Sequence, residues 1–515
     1  MSTSLRVIIL KPGKYDADGF VQRFRRGFMP NSTLSYLASL TPAVFEGARC
    51  EVTTIDEYVH ADLGYLDLLQ RDPNRRTLLA FAGVQSHQFQ RALDLAALAR
   101  SRGVESVVIG GPHPMTCDTS LLHGSGVSFA LSEAEIVWTA ILRDALEGEL
   151  QPVYGNDARW GTKLDPPPLL PPSRRDLKRY AIPMLGVYPA RGCPYTCNFC
   201  SVIKIAGRQV RSQPVSTTMA SLRAAKVAGV RMILFTSDNF NKYAEVRQLL
   251  EAMIEEKINL PFFCQCDTQI ARQEDLIDLL ARAGCFQMFV GVESFQRATL
   301  LAAHKTQNHP EMYGKIVELC RKRRLTTHFS NIIGFPTDTE EGVFEHLHQL
   351  RALAPDVASF YILTPIPGTD QYEEFLTKGM IREDNLDRFD GTCVTWDHPN
   401  FSTQRWRELL MHCYKKFYSA GDMTKKILRL ALGRWDVRTA PAMKMLLGYA
   451  ALQRLSAIGG DHPMSGGGGR VRLDRVADYA DLRRSTYGYD LIPLPRMLAL
   501  SAADEELNRT VKLHA

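Results

Sequence analysis

Three cysteines stand close together near the middle of this 515-residue chain, in the segment RGCPYTCNFC of residues 191–200. Cys193, Cys197 and Cys200 have the spacing C-x3-C-x2-C on a stretch that also holds glycine and proline. Three thiolates so close in sequence reach three corners of one four-iron, four-sulfur cubane. The remaining iron then has no protein ligand, which suits a cluster that binds a small molecule directly.

A zinc site is the main alternative for these cysteines. Structural zinc usually takes four ligands, often a C-x2-C pair joined to a second pair. No second pair is evident near residues 193–200. The spacing therefore favours the iron–sulfur cluster, while an incomplete zinc site and a chance grouping among the eleven cysteines stay open.

Around these cysteines the chain resembles the radical S-adenosyl-L-methionine (SAM) superfamily, whose motif has an aromatic residue just before the third cysteine, as Phe199 is here. The resemblance implies that SAM binds the open iron of a [4Fe-4S] cluster through its amino and carboxylate groups. Reductive cleavage of SAM then gives a 5′-deoxyadenosyl radical that abstracts hydrogen. A small-molecule substrate and an electron donor such as flavodoxin or ferredoxin are implied as partners.

Three later segments also resemble SAM-contacting parts of that superfamily: residues 236–239, 290–294 and 331–336. The first replaces a Gly-Gly-Glu-like element that meets the SAM amino group, the second contacts ribose and carboxylate, and the third lies beside adenine. Each segment also fits an ordinary turn or helix cap. The residues that the resemblance assigns to SAM are Ser237, Asp238, Glu293, Asn331 and Gly334.

The first 150 residues must form a separate α/β unit. Short apolar segments that read as buried strands alternate with helical stretches, at residues 6–10, 50–55, 78–83 and 106–109. Such alternation predicts a doubly wound, Rossmann-like parallel sheet with helices on both faces. Any ligand of this domain should lie at the carboxyl ends of its strands.

A second α/β unit follows a proline-rich linker at residues 151–180, in which 165–172 hold five prolines. Within 181–375, six strand candidates separated by helices predict a partial or complete (β/α) barrel, with its chemistry at the strand carboxyl ends. Residues 376–515 are mostly helical in pattern, and the run SGGGG at 465–469 is typical of a flexible break.

The first unit resembles the cobalamin-binding domain that precedes the barrel in class B radical SAM methyltransferases. The segments that carry the resemblance are residues 34–40, 54–56, 109–114 and 132–135. Glycines in IGGPHP let the backbone come close to a bulky ligand. The residues implied to approach cobalamin are Gly110, Gly111 and His113.

One departure concerns the cobalt ligand. Cobalamin domains of mutases carry Asp-x-His-x-x-Gly after the first strand, whereas Leu10 is followed here by KPGKYD. The sequence therefore predicts cobalt without a protein histidine. A degenerate domain that no longer binds the cofactor stays open.

The leading hypothesis is a cobalamin-dependent radical SAM enzyme that methylates an unactivated carbon of a small molecule, using methylcobalamin and a 5′-deoxyadenosyl radical. A cyclase or rearrangement enzyme with the same cofactors is the alternative, and a corrinoid- or redox-sensing module is the non-enzyme alternative. A methylthiotransferase needs three further cysteines in its first domain, where only Cys50 and Cys117 occur.

Composition sets the remaining bounds. A net charge of +6 on 515 residues is modest and indicates a solvated surface rather than nucleic-acid binding. No apolar run approaches the ~20 residues of a membrane span, and the first residues lack the apolar core of a signal peptide. We therefore expect a cytoplasmic protein.

A strand candidate at residues 262–266 contains two more cysteines. Alternation sends Cys264 and Cys266 to one face of the strand and Gln265 to the other. Either the two thiols line the barrel and face substrate, or they are small core residues.

Overall fold

The computed structural model describes residues 4–459 and 467–509. Its first sheet has seven strands in the order β3-β4-β1-β5-β6-β7-β8, all parallel except the β3–β4 pair. Strands in this part of the chain are β1 (Ser4–Lys11), β2 (Arg23–Gly27), β3 (Val44–Phe45), β4 (Ala48–Asp56), β5 (Arg76–Phe81), β6 (Ser106–Gly110), β7 (Ser128–Ala130) and β8 (Val153–Tyr154). β8 lies in the segment predicted to be linker.

Helices cover both faces of this sheet, which is why its inner strands are apolar on both sides. One core joins the sheet to α2, and a second core on the opposite face joins it to α1 and α4. The predicted doubly wound first unit is confirmed. Its helices are α1 (Ser32–Leu40), α2 (Ser86–Ser101), α3 (Pro112–Thr116) and α4 (Ala134–Glu147).

The second sheet has six parallel strands in the order β9-β12-β13-β14-β15-β16. Within the described residues β16 does not pair with β9, so the barrel is partial. A separate two-stranded hairpin, β10–β11, follows β9. The strands are β9 (Met184–Val187), β10 (Ala190–Arg191), β11 (Arg211–Ser212), β12 (Met232–Phe235), β13 (Phe262–Cys266), β14 (Cys285–Glu293), β15 (Thr326–Ile333) and β16 (Val357–Ile362).

Amphipathic helices cover the outside of this sheet. In α9, Leu276, Ile277 and Leu280 are buried at helical spacing, and Gly284 ends the helix in the left-handed conformation. The helices from the linker to the last barrel unit are α5 (Arg174–Leu177), α6 (Val202–Ile205), α7 (Val215–Ala228), α8 (Val246–Glu255), α9 (Glu274–Ala283), α10 (Arg297–Ala302), α11 (Tyr313–Lys322), α12 (Glu340–Leu353) and α13 (Asp370–Thr377).

The two cysteines of β13 are buried core residues. The Sγ atoms of Cys264 and Cys266 lie 4.0 Å apart. Cys320, on the covering helix α11, is close enough to Cys266 for the two thiols to interact electrostatically. The thiols therefore face the helical layer, and half-buried Gln265 takes the opposite face of the strand.

The β16 edge of the partial barrel is covered by two tyrosines, Tyr414 of α14 and Tyr418 just after it. The backbone N–H groups of Ala358 and Phe360 on β16 donate to the hydroxyls of Tyr418 and Tyr414, at 3.2 and 3.0 Å. The same hydroxyls donate back to the carbonyls of these residues, at 2.7 and 2.9 Å. An edge strand whose polar groups are satisfied in this way cannot pair with another chain there.

The last part of the chain returns to the first sheet region. Its elements are α14 (Thr403–Phe417), α15 (Ala420–Leu432), α16 (Thr439–Gly459), β17 (Gly467–Val471), α17 (Ala480–Tyr487) and α18 (Ala502–Arg509). β17 pairs antiparallel with β2, so the glycines from Gly467 onward form a strand rather than the predicted break. Residues 465 and 466 of that break lie outside the described residues. No helix of the described chain is long and apolar enough to cross a membrane.

A buried ion network holds the residues after β17 against the first unit. Arg91 contacts Glu57 at 2.6 Å and Asp474 at 2.9 Å, and Arg23 contacts the same two carboxylates. Burial raises the pKa of Glu57, but the two guanidinium groups outweigh it and lower that pKa to about 2. Asp474, from just beyond β17, therefore completes a charge-balanced cluster inside the first unit. We call Arg23, Glu57, Arg91 and Asp474 the buried network.

Candidate active site

The cysteine loop is held at both ends by the β10–β11 hairpin. Arg191, two residues before the first cysteine, pairs in register with Arg211, and Ala190 pairs with Ser212. The backbone N–H of Cys193 donates to the carbonyl of Gly207 at 3.1 Å. The hairpin thus gathers residues 192–210 into a closed loop directly after β9, at the carboxyl end of the barrel strands.

Amide groups from two other segments, one after β12 and one after α10, contact the thiols. Asn239 Nδ2 donates to Cys193 Sγ at 3.0 Å, and Gln307 Nε2 donates to Cys197 Sγ at 3.7 Å. Amide N–H groups favour the thiolate form of a cysteine. Sequence reasoning placed Asn239 in the segment 236–239 but assigned it no contact with a thiol, and Gln307 belongs to no pattern that the sequence analysis used.

The thiol environment fits an iron–sulfur cluster. Burial, together with the neighbouring thiols, raises the pKa of Cys200 to about 12, and burial likewise raises the pKa of Cys193. Binding of metal by Cys193 and Cys200 therefore releases thiol protons. In the described residues no three His, Cys, Asp or Glu side chains converge on a single ion. A cubane instead takes one soft thiolate ligand at each corner.

Lys305 supplies a buried cation beside the loop. Its ammonium lies 3.0 Å from Glu293 Oε1 and 5.7 Å from the centre of the Phe199 ring. Although burial lowers the pKa of Lys305, the Glu293 carboxylate and the nearby thiols raise it above its ordinary value. Lys305 thus stays charged where anionic groups gather. No motif in the sequence pointed to this lysine.

The residues after β12 support the loop from behind. Ser237 Oγ accepts the Ala190 N–H at 3.1 Å, and Asp238 Oδ2 accepts the Gly192 N–H at 3.0 Å. Burial raises the pKa of Asp238. Ser237 is 2% exposed, whereas Asp238 also lines a cavity. The predicted pair therefore lies at the site, with Asp238 facing open space.

The residues predicted to contact SAM at the ends of β14 and β15 have two different environments. Glu293 has a φ of +60°, a conformation that non-glycine residues rarely adopt, and it faces Lys305. Asn331 is fully buried, and its amide donates to the carbonyls of Phe329 and Ser359. A Cβ on Gly334 would lie 2.0 Å from the Trp406 ring. Asn331 and Gly334 therefore hold the turn closed by internal packing.

A cavity of about 280 Å³ lies where the carboxyl edges of the two sheets meet. Small residues of the first sheet form one wall, and residues beside the cysteine loop form the other. The walls are mostly apolar with a few convergent polar groups, as cofactor sites usually are. Among the lining residues are Ala80, Ala82, Gly110, Gly111, Ala130, Tyr188, Arg191 and Asp238.

The three predicted cobalamin residues differ in position. Gly110 and Gly111 line the cavity, and Gly111 has a φ of +138° with Val84 N only 2.1 Å from where a Cβ would lie. Gly111 is therefore required by the backbone itself. His113 lies outside the lining, with its ring 4.0 Å from that of Phe89 and its Nδ1 3.0 Å from Ser86 Oγ. Burial lowers the pKa of His113 to about 3, so it is neutral.

Glu133 joins the two units across the cavity. Its carboxylate contacts Arg211 at 2.6 Å and Arg191 at 3.2 Å, the two ends of the hairpin that closes the cysteine loop. Glu135 also contacts Arg191, at 3.0 Å, and the Arg191 guanidinium lies 4.7 Å from the Tyr36 ring. The segment SEAE thus ties the first sheet to the cysteine loop.

Known proteins resemble this chain both within the barrel and beyond it. Residues 187–350 match the Radical SAM superfamily. The bacteriochlorophyllide d C-8(2)-methyltransferase of Chlorobaculum tepidum is 24% identical, over 77% of this chain and 87% of that protein.

Two solved structures share the fold. The cobalamin-dependent S-adenosylmethionine radical enzyme OxsB, with aqua-cobalamin and S-adenosylmethionine bound, has a TM-score of 0.60 at 13% identity and covers 88% of this chain and 72% of its own. The radical S-adenosylmethionine methyltransferase TsrM from Kitasatospora setae, with cobalamin and a [4Fe-4S] cluster bound, has a TM-score of 0.55 at 17% identity. It covers 73% of this chain and 78% of its own. The likeness extends well beyond residues 187–350.

Proposed function

We propose that this chain, in which residues 187–350 match the Radical SAM superfamily and follow a doubly wound domain, is a cobalamin-dependent radical SAM methyltransferase. Its substrate is a small molecule that is methylated at an unactivated carbon, the type of reaction named for the relative from Chlorobaculum tepidum. One observation carries the proposal. The cysteine loop forms part of the cavity wall, because Ile205 and Ala206 of the loop line the cavity beside Asp238, which accepts the Gly192 N–H.

The three cysteines are the proposed cluster ligands. Cys193, Cys197 and Cys200 supply three soft donors and leave one cluster corner free. Asn239 and Gln307 donate hydrogen bonds to two of the sulfurs, which stabilises their anionic form. When bound, the cluster and SAM supply electron transfer and radical generation, and cobalamin supplies a methyl carrier.

Charged residues beside the cysteine loop are the proposed SAM contacts. Lys305 offers a cation to the SAM carboxylate, and Asp238 offers a carboxylate at the cavity wall. Glu293 holds Lys305 in place through their 3.0 Å contact. A flavodoxin or ferredoxin is the proposed electron donor, since reductive cleavage of SAM consumes an electron that a partner has to supply.

Residues 1–150 are the proposed cobalamin-binding unit. Gly110, Ala82 and Ala130 present small side chains, which lets a large ring lie against the strand ends. Glu133 holds this wall against the cysteine loop through Arg191 and Arg211. A group bound in the cavity is thereby kept beside the cluster, with most surrounding water excluded by the apolar walls.

The proposal is tested without knowing the substrate. The reconstituted protein is incubated with SAM and a strong reductant, and S-adenosylhomocysteine and 5′-deoxyadenosine are measured separately. We expect S-adenosylhomocysteine to require bound cobalamin, and 5′-deoxyadenosine to require all three cysteines. Neither product would appear if the protein were only a corrinoid- or redox-sensing module.

Labelled SAM then separates the two enzyme hypotheses. With methyl-deuterated SAM and small-molecule extracts, mass spectrometry should find a product that carries the labelled methyl group. A cyclase or rearrangement enzyme would consume a substrate with no label in its product. That outcome would overturn methyl transfer while leaving the cofactor assignments standing.

A further inference from the structure

An apolar ridge projects from the end of α15 and the loop that follows it. Leu428, Leu432, Trp435 and Val437 are all exposed there, Leu432 by 82% and Trp435 by 60%. Leu428 and Leu432, four residues apart on α15, share one helical face, and Trp435 follows just after the helix ends. The Trp435 indole N–H donates to the carbonyl of Ala431 at 2.9 Å, which fixes the ring at the helix end. Single exposed apolar residues are ordinary, but four within ten residues form a patch.

Cations alternate with this ridge along the same segment. Residues 419–439 hold five cations and two carboxylates. Lys425 lies one helical turn before Leu428, and Arg434 precedes Trp435. Two of the cations pair locally, Arg438 with Asp436 at 2.9 Å and Arg429 with Asp356. The described contacts give the side chains of Lys425 and Arg434 no carboxylate partner, so this surface is cationic and apolar at once.

A cavity of about 290 Å³ opens beside the ridge, between α15 and the ends of α11 and α12. We call it the basic cavity. Asp422 is its one acidic lining residue, and that carboxylate is bonded to Arg351 at 2.8 Å. The cationic residues that line it are Arg321, Arg351, Lys425, Lys426 and Arg429.

Lys426 is the buried cation of this cavity. The residue is 6% exposed, its Nζ has no hydrogen-bond partner, and it lies 3.5 Å from the centre of the Phe417 ring. Burying a cation without an anionic partner is costly, and here burial lowers the pKa of Lys426 to about 7. An anion entering the cavity would supply the missing partner and keep the lysine charged.

We propose that this face docks the protein on an anionic lipid bilayer. Leu432 and Trp435 enter the interface, and lipid phosphates occupy the basic cavity. Leucine and tryptophan beside lysine and arginine are the composition of segments that lie in a membrane interface. An acidic protein would match the cations, but it would leave the projecting leucines and tryptophan without an apolar partner.

The surface lies at the amino ends of the barrel strands. Arg324 just precedes β15, and Asp356, which pairs with Arg429, just precedes β16. The cysteine loop is at the opposite, carboxyl ends. Docking here therefore leaves the cysteine loop accessible to substrate and to an electron donor.

The test uses the full-length protein and vesicles of phosphatidylcholine with or without phosphatidylglycerol. Sedimentation should show binding to the phosphatidylglycerol vesicles, weakened by high salt and at least tenfold weaker to phosphatidylcholine alone. A Leu432→Ser/Trp435→Ser variant and, separately, Lys426→Met should each lose at least tenfold in affinity. Leu121→Ser removes an equally exposed leucine from the first unit and should bind as wild type does.

Tryptophan fluorescence gives an independent readout of insertion. The other four tryptophans, at positions 138, 160, 396 and 406, are buried, so Trp435 alone is exposed among the five. Brominated lipids should quench part of the emission of wild type, and this quenching should disappear in Trp435→Phe while vesicle binding persists. Unchanged 5′-deoxyadenosine formation by the ridge variants would show that they fold.

Three results would overturn the proposal. The first is no binding to phosphatidylglycerol vesicles, or an equal loss in Leu121→Ser. The second is binding of inorganic phosphate without binding of vesicles, which would make the basic cavity a site for free phosphate. The third is concentration-dependent dimerisation that Leu432→Ser abolishes in the absence of lipid binding, which would assign the ridge to a second copy.

Discussion

Thiol protonation sets how the cysteine loop takes up metal. Burial raises the pKa of Cys193 and Cys200, so cluster assembly must displace protons and depends on all three ligands acting together. With one ligand missing, two thiolates hold a cluster poorly.

Changing Cys197→Ala should remove the cluster. The variant should lose the visible absorbance of the reconstituted protein and all 5′-deoxyadenosine formation, because Cys197 supplies one of three ligands. Cys320→Ala is the matched control, since that thiol is also buried but belongs to α11. Wild-type iron, sulfide and turnover in Cys197→Ala would contradict the cluster assignment.

Asp338 gives a pH signature of the turn after β15. Its Oδ2 accepts the N–H groups of Gly334 and Phe335, and burial still raises its pKa to about 6. The stability that the protonated form contributes is therefore present below about pH 4 and is lost as pH rises through about 6.

Asp338→Asn removes that dependence. Relative to wild type, the variant should gain about 1 kcal/mol between pH 5 and pH 7, because only the wild-type group ionises in that range. Melting temperatures of both proteins across this range measure the effect, with exposed Asp165→Asn as control. A difference that stays constant with pH would refute the assignment.

At the scale of elements, the buried network joins β2 and α2 to the residues just beyond β17. Glu57→Ala leaves Arg23 and Arg91 buried with one carboxylate between them, and breaking such a pair costs about 3–5 kcal/mol. Urea unfolding should register this loss. Glu51→Ala breaks the exposed contact with Arg75 and should cost under about 1 kcal/mol. Equal effects of the two changes would contradict the structural role.

Elements that a short stretch of sequence determines by itself could be predicted. The strands of both sheets are apolar runs of strand length, and the cysteine loop is a short motif. Contacts between distant segments could not be predicted, because nothing near Tyr414 and Tyr418 marks them as partners of the β16 backbone. The same holds for Lys305 and Gln307, which reach the cysteine loop only through the fold.

At the scale of the whole molecule, the cavity exists because two sheets meet at their carboxyl edges. Gly110→Trp should fill it and weaken cobalamin uptake at least tenfold, measured by absorbance of the protein after gel filtration. Gly110→Ala should bind normally, since its Cβ would lie 3.4 Å from the nearest atom, the Cβ of Ala130. Gly468→Trp, at a position with open space, controls for the added ring. Wild-type uptake by Gly110→Trp would place the cofactor elsewhere.

The buried network also fixes when the protein can finish folding during synthesis. The chain leaves the ribosome from its amino terminus, so Arg23 and Arg91 emerge long before Asp474. Asp94 likewise has no Arg483 partner until late in synthesis. In the folded protein Arg483 Nε lies 2.7 Å from Asp94 Oδ1. Until Asp474 and Arg483 emerge, charged side chains of the first unit lack their partners. During that time the first unit stays accessible to chaperones and proteases. A ribosome that stalls within the barrel would therefore release a chain whose first unit is still incomplete.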